Sequence, residues 1–168
     1  MSEQWMEEYD EYDTLLDDSL NLPQQFTVGA AYNMLDNLEF VLDYRWLGWS
    51  DLDTLGSQFG WDDQNIVKAG VTWGVTDALT LRTGISYGES PIDDDQVFAN
   101  ALFPAIMETH LACGASYAWD KWTVNAAYIH ALKNDLTESQ GIDMTPMGGP
   151  PNFGQGTKIS MYQNSLTL

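Results

Sequence analysis

Basic residues are scarce in this sequence: six Lys and Arg stand against 25 Asp and Glu in 168 residues, a formal net charge of -19. So acidic a chain repels nucleic-acid phosphates instead of neutralising them, which excludes a nucleic-acid partner. The same scarcity argues against an anionic lipid surface held through a basic patch. Charges of both signs together reach only 18%, below the roughly 25% usual for soluble domains. Cys113 is the single cysteine, so one chain contains neither a disulfide framework nor a cysteine metal site. Its parity with Leu111 and Ala115 makes it a small apolar packing residue and not a nucleophile. No segment approaches the about 18 consecutive apolar residues of a membrane helix, which excludes a helical span. The opening residues, MSEQWMEEYDEYD, carry acids where a signal peptide carries a basic region and an apolar core. If the protein is exported, this chain is expected to be a mature piece or to lack its true beginning.

What is present is apolar and aromatic: 44% hydrophobic and 12% aromatic residues, in a length that suits one domain. The informative stretch runs from Gly70 to Pro91. Val71, Trp73 and Val75 alternate in its first half, and Leu79, Leu81, Thr83, Ile85 and Tyr87 in its second, with only Thr76, Asp77 and Ala78 between. This pattern predicts a β-hairpin with a short turn. Its apolar face is bounded by Trp73 near the turn and Tyr87 at the far end, as on a strand whose outside is lipid.

Further strands share the pattern. About Gln24 to Asn33, Phe26, Val28, Ala30 and Tyr32 alternate with Thr27, Gly29, Ala31 and Asn33; after Met34 to Asn37, Leu38, Phe40, Leu42, Tyr44 and Trp46 alternate with Glu39, Val41, Asp43 and Arg45. A fifth strand, about Met107 to Trp119, sets Leu111, Cys113, Ala115, Tyr117 and Trp119 against His110, Ala112, Gly114, Ser116 and Ala118. A sixth follows Asp120 and Lys121, with Trp122, Val124, Ala126 and Tyr128 on one face, and a seventh, weaker one starts near Gly156. Met1 to Asn21, with eight acids and no base, reads as an acidic loop or N-terminal segment. Its acids lack the spacing of an EF-hand loop, and no metal is expected.

Short turns alternate with long connections, roughly Leu47 to Gln64, Gly88 to Ile106 and Leu132 to Gln155. Sorting of short turns to one end and long loops to the other is the signature of an outer-membrane barrel, with periplasmic turns and extracellular loops. The predicted fold class is therefore all-β: a portion of an antiparallel up-and-down transmembrane β-barrel, with about seven strands over residues 22–168. Each strand runs about ten residues, enough to cross a bilayer at a tilt. On the outward parity, Tyr32, Trp73, Tyr117, Trp119 and Trp122 fall near the lower rim and Tyr44, Trp46, Tyr87 and Tyr128 near the upper, the places of two interfacial aromatic girdles.

A weak repeat places Gly29-Ala-Ala-Tyr32, Gly70-Val-Thr-Trp73 and Gly114-Ala-Ser-Tyr117 each before an Asp-led turn. The run Asp77-Ala-Leu-Thr-Leu-Arg-Thr-Gly-Ile-Ser-Tyr87, followed by Glu89-Ser-Pro-Ile-Asp93, resembles the recurrent turn, strand and SPxxD loop of the FadL-type outer-membrane transporters of long-chain fatty acids and other hydrophobic compounds. Leu22-Pro23 leading into Val28-Gly29-Ala-Ala-Tyr32, Tyr44-Arg-Trp46 with Trp49-Ser50-Asp51, and Leu111-Ala-Cys-Gly-Ala-Ser-Tyr117 extend the likeness over about residues 20 to 168. The chain looks like the C-terminal half of such a barrel. The resemblance implies residence in the bacterial outer membrane, contact with its lipid, and passive transport of a hydrophobic small molecule such as a fatty acid, with no cofactor and no enzymatic step. Members of the family have an N-terminal hatch and a barrel of about fourteen strands, features not matched here. Seven strands would leave two unpaired edges in lipid, so a fragment, or a half barrel completed by another chain, is expected. Ser165-Leu-Thr-Leu168 also departs from the family's terminal aromatic.

Arg45, Lys68 and Arg82 fall on the inward parity of three consecutive strands, with Glu39 and Asp43 on the same side. Two readings stand: an ion-pair network that hydrates and stiffens the wall, or lumen anchors for a substrate carboxylate beside apolar surface that takes its tail. Counting along the strands sets Arg82 lower than the other two. His110 and His130 sit on opposite parities, without a nucleophile motif, so catalysis is not expected. Asp93, Asp94 and Asp95 read as a solvated loop or a loose calcium contact, and the segment from Met144 to Phe153 as a flexible apolar loop. A non-transporting structural or adhesive β protein, assembled through unpaired strand edges, remains the alternative function.

Overall fold

A computed structural model describes residues 22–168; the acidic segment Met1 to Asn21 lies outside the described residues. Seven strands follow one another: β1 (Gln24–Leu35), β2 (Leu38–Gly48), β3 (Gln64–Gly74), β4 (Leu79–Gly88), β5 (Thr109–Trp119), β6 (Trp122–Thr137) and β7 (Lys158–Thr167). They form one antiparallel sheet in sequence order, each strand bonded to the next. The two-residue period extends unbroken across the ladder. Tyr32 pairs with Phe40, Phe40 with Val71, Val71 with Thr83, Thr83 with Cys113 and Cys113 with Tyr128, all on one face.

The three short turns sit at one end and are fastened to one another. The Asn37 side chain donates to the Gly74 carbonyl at 2.9 Å, and the Gly74 N–H donates to the Asn37 carbonyl at 2.8 Å. The Ala118 N–H donates to the Ala78 carbonyl at 2.8 Å. Between β5 and β6, Asp120 takes a left-handed φ of 53°, which a short polar side chain tolerates in a tight hairpin.

β6 runs to Thr137, past Leu132, where the sequence led us to expect a loop. An irregularity between Ala131 and Asn134 restarts the pairing, so that Asn134 lies opposite Met161 and Thr137 opposite Lys158. The extra residue turns Asn134 inward to donate to the Ile106 carbonyl at 2.8 Å, and β6 and β7 rise together above the rest of the sheet.

Exposure on β2 and β3 is inverted relative to a soluble protein. On β2, Glu39, Val41, Asp43 and Arg45 are half-buried while Phe40, Leu42 and Tyr44 are exposed; on β3, Lys68 and Thr72 are half-buried while Val67 and Trp73 are exposed. On these two strands the face that carries Glu39, Asp43, Arg45 and Lys68 is the sheltered, inner one and the apolar face meets the surroundings, as a barrel wall in lipid requires.

Apart from Ala131 on β6, the buried apolar residues among those described lie instead in the long connections. Trp61, Ile92 and Ile106 form a cluster against which Trp49, Leu55, Phe59, Leu136, Ile159 and Met161 pack. The first connection carries a turn of π-helix, Asp53–Gln58. Trp61 bridges to Ile92 and donates its indole N–H to Asn100 Oδ1 at 2.6 Å; Asn100 Nδ2 donates to the Phe59 and Gln96 carbonyls at 2.7 and 2.9 Å. Glu138, 3% exposed, accepts from the backbone N–H groups of Phe98, Gly141 and Gln140. Burial pushes its carboxyl upward, but these N–H bonds outweigh that and hold it below the usual glutamate range. The loops predicted as solvated or flexible are thus joined into one cap. Within it, the Asp94 carboxylate accepts from Ser139 Oγ at 3.1 Å, and Phe98 and Phe153 meet edge to face. Asp93 is pushed above its usual value by burial and by the neighbouring Asp62 and Asp94.

Candidate functional site

The inner face is built by the non-apolar parity of β2 to β6. Register places Asp43 opposite Lys68, Arg45 opposite Ile66, and Thr72 between Glu39 and Arg82. Arg45 and Lys68 are therefore diagonal neighbours, whereas Arg82 stands four residues lower along the strand. Among the described residues the ion pairs are those of Asp135 with Lys133 (2.9 Å) and Lys158 (3.0 Å), on the other face. None of the three inner cations is in an ion pair, so the network expected with Glu39 and Asp43 does not form. The physical reason lies next door: Asp43 leans across β1 into the space over Gly29, which a Cβ there would occupy.

Arg45 and Arg82 face neutral oxygens instead. Arg45 Nε donates to Thr27 Oγ1 at 3.3 Å. Arg82 Nη1 donates to Ser116 Oγ at 2.6 Å, and Ser116 donates onward to Asn125 Oδ1 at 2.7 Å, a relay across three strands. Neutral partners orient a guanidinium without cancelling its charge, leaving it able to meet an anion. Ser116, Asn125 and Thr27 escape a reading of charge alone; their signal in the sequence is a hydroxyl or amide on the inward parity of an adjacent strand.

Between these cation levels the wall is smooth. Gly70 pairs with Gly84, Gly84 with Ala112, and Val41 and Ile129 continue the row on either side. With no side chain at the glycines, an apolar molecule can lie close to the backbone there. His110 lies on the inner face opposite Ser86, while His130 lies on the outer face opposite Leu111, so the sheet keeps the two histidines apart.

The candidate interfacial aromatics all lie on the outer face. Tyr32, Trp73, Tyr87, Tyr117, Trp119, Trp122 and Tyr128 are exposed there, and Tyr44 is at the margin of exposure. Trp46 is half-buried because its ring folds over Gly48. Two of the upper tyrosines share a motif: Tyr44 donates to Asn65 Oδ1, and Tyr128 to Asn164 Oδ1, each at 2.6 Å and each to the neighbouring strand.

Residues 14–155 match the model of the family described as Outer membrane protein transport protein (OMPP1/FadL/TodX). The chain is 26% identical over 149 residues to a 47 kDa outer membrane protein of Pasteurella multocida, covering 80% of this chain and 34% of that one. It is 24% identical over 137 residues to the long-chain fatty acid transport protein of Escherichia coli, covering 73% of this chain and 30% of that one. Among solved structures, a Pseudomonas aeruginosa FadL homologue matches with a TM-score of 0.58 at 18% identity, over 86% of this chain and 33% of that one. The Pseudomonas putida toluene transporter TodX matches with a TM-score of 0.56 at 20% identity, over 71% of this chain and 31% of that one. The chain thus spans about a third of the length of the relatives it matches. The matched relatives are named for transport and outer-membrane residence, not catalysis. With seven antiparallel strands, an apolar outer face and a family match over most of its length, the chain belongs to the FadL/TodX family of outer-membrane transport proteins.

Proposed function

We propose that this chain forms part of the wall of an outer-membrane β-barrel through which hydrophobic molecules, fatty-acid-like in class, cross passively. The observation that carries the reading is the inverted exposure of β2 and β3, apolar outside and charged within. Residues 22–168 serve as the wall, preceded in the sequence by the acidic segment of residues 1–21. Arg45 and Lys68 form an upper anchor for a substrate carboxylate, Arg82 a lower one, and the smooth row through Gly70 and Gly84 receives the apolar tail. The exposed aromatics make the two interfacial girdles. Strands from another chain, or from a longer form of this one, complete the barrel at β1 and β7.

The test is uptake in cells whose own fatty-acid transporter is deleted, with this chain exported alongside its completing strands. Heat-modifiable migration in the outer-membrane fraction and uptake of a fluorescent fatty acid are expected. Changing Arg45→Gln together with Lys68→Gln should cut fatty-acid uptake by roughly tenfold, the scale of one lost charge-assisted bond, and leave uptake of the matching alcohol unchanged. A soluble chain, or a membrane-inserted one without uptake, sinks the transport reading. The two edge strands favour one other reading, a structural β protein assembled edge to edge, which a regular polymer without uptake would support.

A further inference from the structure

Composition argues against a basic lipid-binding patch, yet the fold gathers the few cations unevenly. Three of the six basic residues point inward and Lys121 sits in a turn; the remaining two, Lys133 and Lys158, stand together on the outer face of β6 and β7. Both bind Asp135 Oδ2, at 2.9 and 3.0 Å, so the group carries one net positive charge, and both lysine side chains remain more than half exposed. At about 3.3 Å per residue and a tilt near 40°, Lys133, eleven residues beyond Trp122, stands about 28 Å above it along the membrane normal. That is just past an apolar band about 25 Å tall, at the level of lipid headgroups.

Directly below is a polar step. Asn164 Oδ1 accepts from the Tyr128 hydroxyl at 2.6 Å and lies 2.8 Å from His130 Nδ1. A carbonyl oxygen only accepts, so Nδ1 carries a proton, and the Asn164 amide and His130 Nε2 are left for a further partner. Below this step the outer face is dented. A trough of about 560 Å³ lies between Trp73, Leu81, Tyr128 and Leu166, floored by the short side chains of Ala115 and Ala126. Cations, hydrogen-bonding groups and an apolar trough follow one another down the face of the sheet.

We propose that this strip of β5, β6 and β7 is a binding site for one lipid with a phosphorylated, anionic headgroup. Its phosphate sits on Lys133 and Lys158, its polar linkage on Asn164 and His130, and one acyl chain in the trough. A zwitterionic or neutral lipid leaves the lysines half-satisfied; an anionic one complements the net positive charge of the Lys133, Lys158 and Asp135 group. The inference rests on the exposed apolar face being the lipid-facing one.

The test is native mass spectrometry of the chain folded together with its completing strands in neutral detergent and titrated with palmitoyl-oleoyl phosphatidylglycerol or with phosphatidylcholine of the same chains. Retention of the anionic lipid should exceed that of the zwitterionic one by roughly tenfold. Lys133→Gln with Lys158→Gln should erase the preference, and Ala126→Leu, which fills the trough, should weaken both lipids while leaving the preference intact. Equal retention of the two lipids, or a preference that survives loss of both lysines, overturns the site. Displacement of the lipid by millimolar inorganic phosphate alone would make it a phosphate site and also overturn the proposal. Heat-modifiable migration read on the same samples separates the two failures. A chain that never acquires it defeats the membrane reading itself, whereas one that acquires it without lipid preference defeats only this site.

Discussion

Asp120 is the one non-glycine residue with a positive φ among the described residues, and it shows how local chemistry fixes a barrel turn. Only two residues join β5 to β6, so one must turn left-handed, and a short polar side chain bears this at less cost than a branched one. Asp120→Gly should leave stability within about 0.5 kcal/mol, whereas Asp120→Val should destabilise by about 1–2 kcal/mol; urea unfolding in detergent reads the difference. At this scale the sequence was informative about direction and silent about partners. Alternation alone put Arg45, Lys68 and Arg82 on one face, and they share it. That Asp43 turns away from Lys68 depends on the empty space at Gly29 of the adjoining strand, and no count along one strand contains it.

Elements were legible where the period of two is clean. The turns after β1, β3 and β5 stand where Asp-led segments interrupt the alternation, and the strands between them begin and end close to the expected residues. The long connections were not legible, because their order comes from contacts between segments far apart in sequence. Trp61 meets Asn100, and Glu138 meets Phe98. The signal was Trp49, Phe59 and Trp61, large apolar residues in segments otherwise acidic. Glu138 ties two connections, and its replacement by Ala would leave three backbone N–H groups without their acceptor. Glu138→Ala should lower protection of the Phe98 and Gly141 amides against hydrogen exchange by about 2–4 kcal/mol, with the strand amides unchanged. The pH dependence follows from the depressed carboxyl. Its stabilisation is present above the unfolded glutamate value, about 4.3, and is lost as pH falls through the lower folded one. Asp93 is raised, so its contribution runs the other way and fades as pH rises through its folded value. Loop proteolysis should therefore rise more steeply toward low pH in the parent than in Glu138→Ala, where of these two groups only Asp93, with its opposite dependence, remains.

On the scale of the whole molecule, the single cysteine is a natural reporter of which face meets lipid. Cys113 is exposed on the outer face, among Thr83, Tyr128 and other members of the apolar parity. A charged, water-borne maleimide should label it in the denatured chain and fail to label it in a bilayer, while Ser86→Cys in a Cys113→Ala background, on the inner face, should label in both. Labelling of Cys113 in vesicles would place the apolar face in water and contradict the barrel reading. The two ends of the sheet differ in the same global sense. The turn end is held by backbone bonds that close as soon as neighbouring hairpins meet, such as Asn37 with Gly74. The loop end is held by a core whose parts come from three separate connections, around Trp61, Ile92, Ile106 and Glu138. No single one of those connections can satisfy Glu138 or bury Trp61 by itself. The cap is then a latch that closes only when the three connections are brought together, and that core must come apart before any one of them can be withdrawn.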